Sequence, residues 1–266
     1  VEWWPAYLAI GAMSGLLAGL LGVGGGVVMV PALTWVFAEQ GVSAQHTMPL
    51  ALGTSLATIV FTSLASTGAH HQRRAVDWRI VRGLAPGLMV GAFAGAWLAS
   101  RTSATVLTAT FGMFLWAVAT SLLIDAMPKG ATPLPGPVGL STAGGLIGAV
   151  SGMTGIGGGT LTVPFLTRHW VPLHHAIGTA AAAGFPIAVA GVVGYLLSGP
   201  GQGAGPPDSL GFVHLPALLV TTVASIFAAP IGARVAHRLP TRPLTVAFAV
   251  LLYLVGAELV LSALRP

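Results

Sequence analysis

Two stretches of this sequence have the make-up of a ligand-binding turn rather than of the apolar helix around them. GVGGGVVMVP at 22–31 and GIGGGTLTVP at 155–164 each place four glycines in five positions, with a proline five residues after the last of them. Each glycine inside a helix costs about 1 kcal/mol relative to alanine, so a helix is expected to break at both clusters. A break exposes the N-terminus of the arm that follows, near Val27 and near Thr160. Unpaired N–H groups there carry roughly half a positive charge. Glycine lets the turn adopt positive φ and lets a ligand approach the backbone closely. Successive N–H groups in such turns form an anion-binding concavity. Gly22, Gly24, Gly25, Gly26, Gly155, Gly157, Gly158 and Gly159 are therefore the candidate substrate-binding backbone, and the substrate class is a small anion. Thr54, Ser55, Thr160 and Thr179 add hydroxyls suited to an oxyanion. The alternative role for these hydroxyls, bonding a carbonyl one turn back, stays open. Pro31 and Pro164, several residues into the second arms, are expected to kink them.

The elements around these turns are those of a membrane protein. Hydrophobic residues make up 55% of the 266 and charged residues 6%, against about 25% charged in a soluble domain. Such a chain cannot cover a water-facing surface. A bilayer span needs about 20 mostly apolar residues. Spans of that length are expected at 48–67, 82–99, 104–124, 175–197, 213–233 and 243–263. The segments 6–38 and 138–168 are too long for one helix and carry the glycine clusters near their middles. Each reads as a pair of half-helices meeting at a break. The stretch DAMPKGATPLPGPV at 125–138 divides the chain. The expected organisation is a first repeat at 1–127, a linker at 128–137 and a second repeat at 138–266. The fold class is all-α and polytopic, each repeat holding a glycine-broken, re-entrant helix pair and three transmembrane helices.

The halves are related by sequence. A shift of 133 positions gives ten identities over residues 11–33, among them Gly11, Gly15, Gly19, Val30, Pro31 and Leu33. GAWLASR at 95–101 also faces GARVAHR at 232–238. Internal duplication of this kind is characteristic of transporters. Basic residues near short loops favour the cytoplasm. If each glycine segment crosses the membrane, the 11 basic residues divide almost evenly between the two sides. If each dips in and returns, Arg73, Arg74, Arg79, Arg82, Lys129, Arg168, Arg234, Arg238 and Arg242 share one side, and only Arg101 and Arg265 lie opposite. That bias favours inverted repeats with both termini outside.

Other features have blander readings. Gly11, Gly15 and Gly19, Gly87, Gly91 and Gly95, and Gly144, Gly148 and Gly152 repeat every fourth residue, the spacing of a close helix–helix contact. The triplets do not follow that spacing, which favours a ligand role for them over packing. The expected spans hold almost no ionisable residue away from their ends, which disfavours a cation or metal as substrate. Glu258 is the exception, a possible coupling group for a proton or other ion but better read as an interfacial carboxylate. The histidines at 46, 70, 71, 169, 174, 175, 214 and 237 sit in loops or helix ends and read as solvated. No cysteine is present, so disulfides and thiolate sites are excluded, and no metal or other cofactor is expected. The net charge of +5 comes without a basic cluster interleaved with aromatics, so nucleic acid is not an expected partner. Ser14 and Ser151 each precede a glycine, as an intramembrane serine protease would need. No histidine base lies deep in a span, and the two serines are not at matching repeat positions.

The repeated G-x-G-G-G-x-x-x-x-P pattern, the GTS at 53–55 and the two-half layout resemble the sulfite exporter TauE/SafE family of membrane permeases. The resemblance covers nearly the whole chain. It implies multi-pass insertion in a bacterial inner membrane and transport, usually outward, of sulfite or an organosulfur anion such as sulfoacetate. Another small anion, a carboxylate, is the alternative substrate. The family motif carries onto Gly22, Gly24, Gly25, Gly26 and Pro31, and onto Gly155, Gly157, Gly158, Gly159 and Pro164. The second half reads GTA at 178–180 where the first reads GTS, so a serine role at position 180 is lost.

Overall fold

The structure, a computed structural model, describes residues 2–21, 25–124, 132–199, 207–236 and 241–264. Among them the chain forms ten helices and one short hairpin. The first half contains α1 (Trp4–Leu21), α2 (Gly26–Glu39), α3 (Ala44–Gln72), α4 (Trp78–Arg101) and α5 (Ala104–Leu123). The second contains α6 (Pro137–Thr154), α7 (Gly159–Arg168), α8 (Leu173–Ser198), α9 (Leu215–Ala236) and α10 (Thr241–Leu264). Strands β1 (Ser209–Leu210) and β2 (Val213–His214) pair antiparallel just ahead of α9.

Local chemistry sets several boundaries. Asp77 accepts the Arg79 and Ile80 N–H groups and starts α4, and Ser103 accepts from Val106 to start α5. Pro137 stands in the first turn of α6, where its missing N–H costs nothing. Gly155 ends α6 at φ +64, a left-handed cap that a side chain would strain.

Among the described residues five helices are long and apolar enough to cross a membrane: α3, α4, α5, α8 and the Thr245–Leu264 part of α10. Shorter apolar stretches occur at Trp4–Ala18, Gly26–Glu39 and Leu215–Ile231. Burial ranks them by position. The most apolar 18-residue window of α3 is 72% buried and that of α8 is 56%, whereas that of α10 is 22%. The packed pair α3 and α8 is therefore the centre, and α10, packed on α5, is peripheral. Large apolar side chains such as Val90, Leu146 and Phe227 are more than 70% exposed. Patches of that kind suit lipid rather than water.

The glycine-spaced runs make the closest contacts. α1 lies on α9, and α4 lies on α6. A Cβ on Gly11 would stand 2.5 Å from the Thr221 carbonyl, and one on Gly15 would strike the Ser225 carbonyl. Gly87, Gly91 and Gly95 abut the carbonyls of Ser141, Gly145 and Ala149. Gly144, Gly148 and Gly152 abut those of Leu84, Leu88 and Ala92 in return. Without side chains the helix axes approach until backbone meets backbone, which is the main attraction available between helices in lipid. The packing expected of these runs is what the described glycines do.

Corresponding elements also exchange partners. α1 and α4 of the first half pack on α9 and α6 of the second, while α3 pairs with its counterpart α8 and α5 with α10. The halves are interleaved rather than side by side.

Candidate functional site

The helices stop where the glycines begin: α1 ends at Leu21 and α2 starts at Gly26, and α6 ends at Thr154 and α7 starts at Gly159. The two breaks meet. A Cβ on Gly26 would lie 2.8 Å from the Gly155 carbonyl oxygen, 3.1 Å from Ile156 Cα and 3.2 Å from Ser55 Oγ. The Ser55 hydroxyl donates to that same Gly155 carbonyl at 2.8 Å. Candidate residues 129 positions apart in the chain thus share one spot, beside α3. Gly22 and Gly24 lie outside the described residues.

Both second arms begin alike. Gly25 caps α2 and Gly158 caps α7, and neither helix has a side-chain cap. The first intrahelical bonds run from Val28 and Met29 to the Gly25 carbonyl and from Thr162 to the Gly158 carbonyl. A serine, threonine or aspartate normally accepts from the amides ahead of such bonds. Glycine leaves that place to another acceptor. The turns are packed: Gly26, Gly155, Gly157 and Gly158 are buried, and Gly25 and Gly159 are partly so. Ile59 backs Gly157, and the Ile187 Cδ1 methyl would sit 2.9 Å from a Cβ on Gly158. Charge is scarce here. α3 and α6 contain no Asp, Glu, Lys or Arg, α2 has only its terminal Glu39, and α7 only its terminal Arg168.

The hydroxyls tie the halves together. Thr54, Ser55 and Thr179 are fully buried. Thr54 Oγ1 accepts the His214 N–H at 3.0 Å, just ahead of α9. Thr179 Oγ1 accepts the Asp77 N–H at 3.0 Å, just ahead of α4. Asp77 and His214 are 137 residues apart, the separation of Gly95 and Gly232, so the two bonds are counterparts. By contrast Thr154 bonds the Val150 carbonyl one turn back. Thr160 lies in the first turn of α7. α2 runs on through Pro31 and α7 through Pro164. Removing the Thr54 hydroxyl leaves a buried N–H without its acceptor, a loss of about 1–3 kcal/mol. Thr54→Val is expected to lower the Tm by several degrees. Thr179→Val should lower it less, because Asp77 is only partly buried. Equal, negligible shifts in a thermal melt would remove the latch role.

Two residues of this region lie outside the expected binding set. Ser14 is buried and donates to the Gly25 carbonyl at 2.7 Å, closing α1 on α2. His214 corrects the expectation of solvated loop histidines. It is buried against Tyr7 and Phe37, with ring centroids 5.7 and 5.3 Å away. Its Nδ1 accepts the Ala217 N–H at 3.2 Å and so caps α9. Its place opposite Asp77 in the repeat was a usable signal, because Asp77 caps α4. The remaining described histidines form no cluster of three metal-ligating side chains with any His, Asp or Glu among the described residues. His174 and His175 stack at 4.3 Å. His175 lines an open groove of about 370 Å3 with Val76, Asp77, Trp78 and Arg79. Glu258 is exposed on α10.

The family description "Sulfite exporter TauE/SafE" matches residues 7–259. A probable membrane transporter protein of Haemophilus influenzae is 36% identical over 260 residues, covering 96% of this chain and 97% of the relative. Probable membrane transporter proteins of Methanocaldococcus jannaschii and Bacillus subtilis are each 25% identical, over 263 residues (97% and 95% of the two chains) and 278 residues (95% and 96%). No solved structure matches the chain.

Proposed function

The chain belongs to the sulfite exporter TauE/SafE family of membrane transporters, and from that premise we propose that it carries a small sulfur-containing anion, sulfite or an organosulfonate, outward across a bacterial inner membrane. It is a multi-pass membrane protein and not an enzyme. The observation that carries the substrate reading is the pair of half-helices that start on uncapped glycines and whose turns touch, Gly26 on Gly155. The α2 N-terminus meets the glycine turn that leads into α7, and a helix N-terminus favours a negative solute without a buried counter-charge. The substrate-binding set is Gly22, Gly24, Gly25, Gly26, Thr54, Ser55, Gly155, Gly157, Gly158, Gly159, Thr160 and Thr179.

The mechanism is alternating access between two inverted repeats, 1–127 and 138–266. The exchanged helix pairs and the matched bonds Thr54–His214 and Thr179–Asp77 support that symmetry. In inverted repeats the two bonds lie toward opposite faces, so each can part while the other holds. The test is sulfite release from liposomes loaded with it and containing the purified chain, with acetate and a divalent metal as competing cargoes. Sulfite flux above protein-free liposomes is expected. Flux of metal alone, or of acetate alone, would replace the substrate assignment.

A further inference from the structure

We infer that the Thr162 hydroxyl is a hydrogen-bond donor to the transported oxyanion, and so a specificity-determining group of the site at the start of α7; this rests on the substrate reading above. Thr162 is fully buried, and its Oγ1 has no hydrogen-bond partner. Its neighbours on the same helix behave otherwise: Thr167 bonds the carbonyls of Val163 and Pro164. A buried polar atom left without a partner works against folding. A chain that needed only packing here would have valine, which has nearly the same shape. The hydroxyl is also placed at the glycine turn. Its oxygen would be 3.2 Å from a Cβ on Gly158, the residue that caps α7 without a side chain. The missing partner and the missing cap thus coincide at one point. Beside it, Gly184 N lies 3.6 Å from that same Cβ position. The Ile187 methyl that covers the spot is the far end of a flexible side chain, which a rotamer change can withdraw.

A threonine hydroxyl with no acceptor of its own is free to donate. The fitting ligand is an acceptor-only group with several oxygens, a deprotonated sulfite or sulfonate, reached by Oγ1 while the α7 amides hold another oxygen. The repeat makes the site one-sided, because the counterpart of Thr162, 133 residues earlier, is Met29. The hydroxyl therefore belongs to the second glycine turn alone.

The test compares Thr162→Val and Thr162→Ser in the full-length chain, by melting and by sulfite titration followed calorimetrically. Thr162→Val should melt at or above the wild-type temperature, since it removes an unsatisfied group, and should bind sulfite about tenfold more weakly. Thr162→Ser should bind like wild type. Thr162→Ala provides a second hydroxyl-free chain if the valine variant does not remain monodisperse. Wild-type sulfite affinity in both hydroxyl-free variants would overturn the inference while leaving the transport reading intact. A wild-type chain that binds neither sulfite nor methanesulfonate would overturn both. A valine variant that melts well below wild type would show that the hydroxyl serves the fold.

Discussion

Leucine at position 158 is expected to abolish sulfite flux in liposomes, and alanine there to reduce it about tenfold or more. Gly158 has φ −58 and ψ −14, which any residue adopts, so the backbone imposes no penalty on either change. What a side chain meets is soft. The nearest atoms to a new Cβ are the Ile187 methyl end at 2.9 Å and Thr162 Oγ1 at 3.2 Å, and neither is main chain. Alanine should therefore fold with a Tm within a few degrees of wild type. Its methyl would stand at the capping position, where an anion must come close to the α7 amides. Each charge-assisted hydrogen bond lost is worth about 1.5–3 kcal/mol, or roughly ten- to a hundredfold in binding. Full flux in a folded Gly158→Ala protein would remove the glycine turn from the transport path.

Alanine at position 26 is expected to fail in a different way, by destabilising the whole chain. Its Cβ would be 2.8 Å from the Gly155 carbonyl and 3.1 Å from Ile156 Cα. Both are backbone atoms, and the carbonyl belongs to Gly155, which has φ +64 and is tied to Ser55 by a 2.8 Å hydrogen bond. They have little room to retreat. Overpacking in a tight interior costs about 1–3 kcal/mol, and a drop in Tm of about 5 °C or more should follow. Flux should fall with the yield of folded protein. A Gly26→Ala chain with the wild-type melting temperature would mean that the two breaks do not touch. The contrast between positions 26 and 158 separates a glycine whose side chain would break the contact of the two turns from one whose side chain would affect the ligand alone.

Much of this was legible in one dimension. Spacing of four residues between glycines marked close-contact faces on α1, α4 and α6, because that period keeps small residues on one helix face. Clustered glycines at 22–26 and 155–159 marked the breaks, because no helix gains from a run of them. The same reading missed His214, since a histidine in a loop is usually wet and nothing local says that α1 and α2 will bring Tyr7 and Phe37 over it. It also left the hydroxyls undecided. Thr54 and Thr154 look alike in sequence, yet one accepts from His214 across the interleaved halves and the other bonds its own helix.

Composition and period were enough for membrane insertion, a helical chain and the location of the weak points in the helices, because hydropathy and helix-face geometry act over a few neighbouring residues. Which glycine touches which carbonyl, which threonine holds a loop of the other half, and which hydroxyl is left without a partner depend on how α1, α4, α6 and α9 cross. Those contacts join residues more than fifty positions apart, and only the packed tertiary structure could select them.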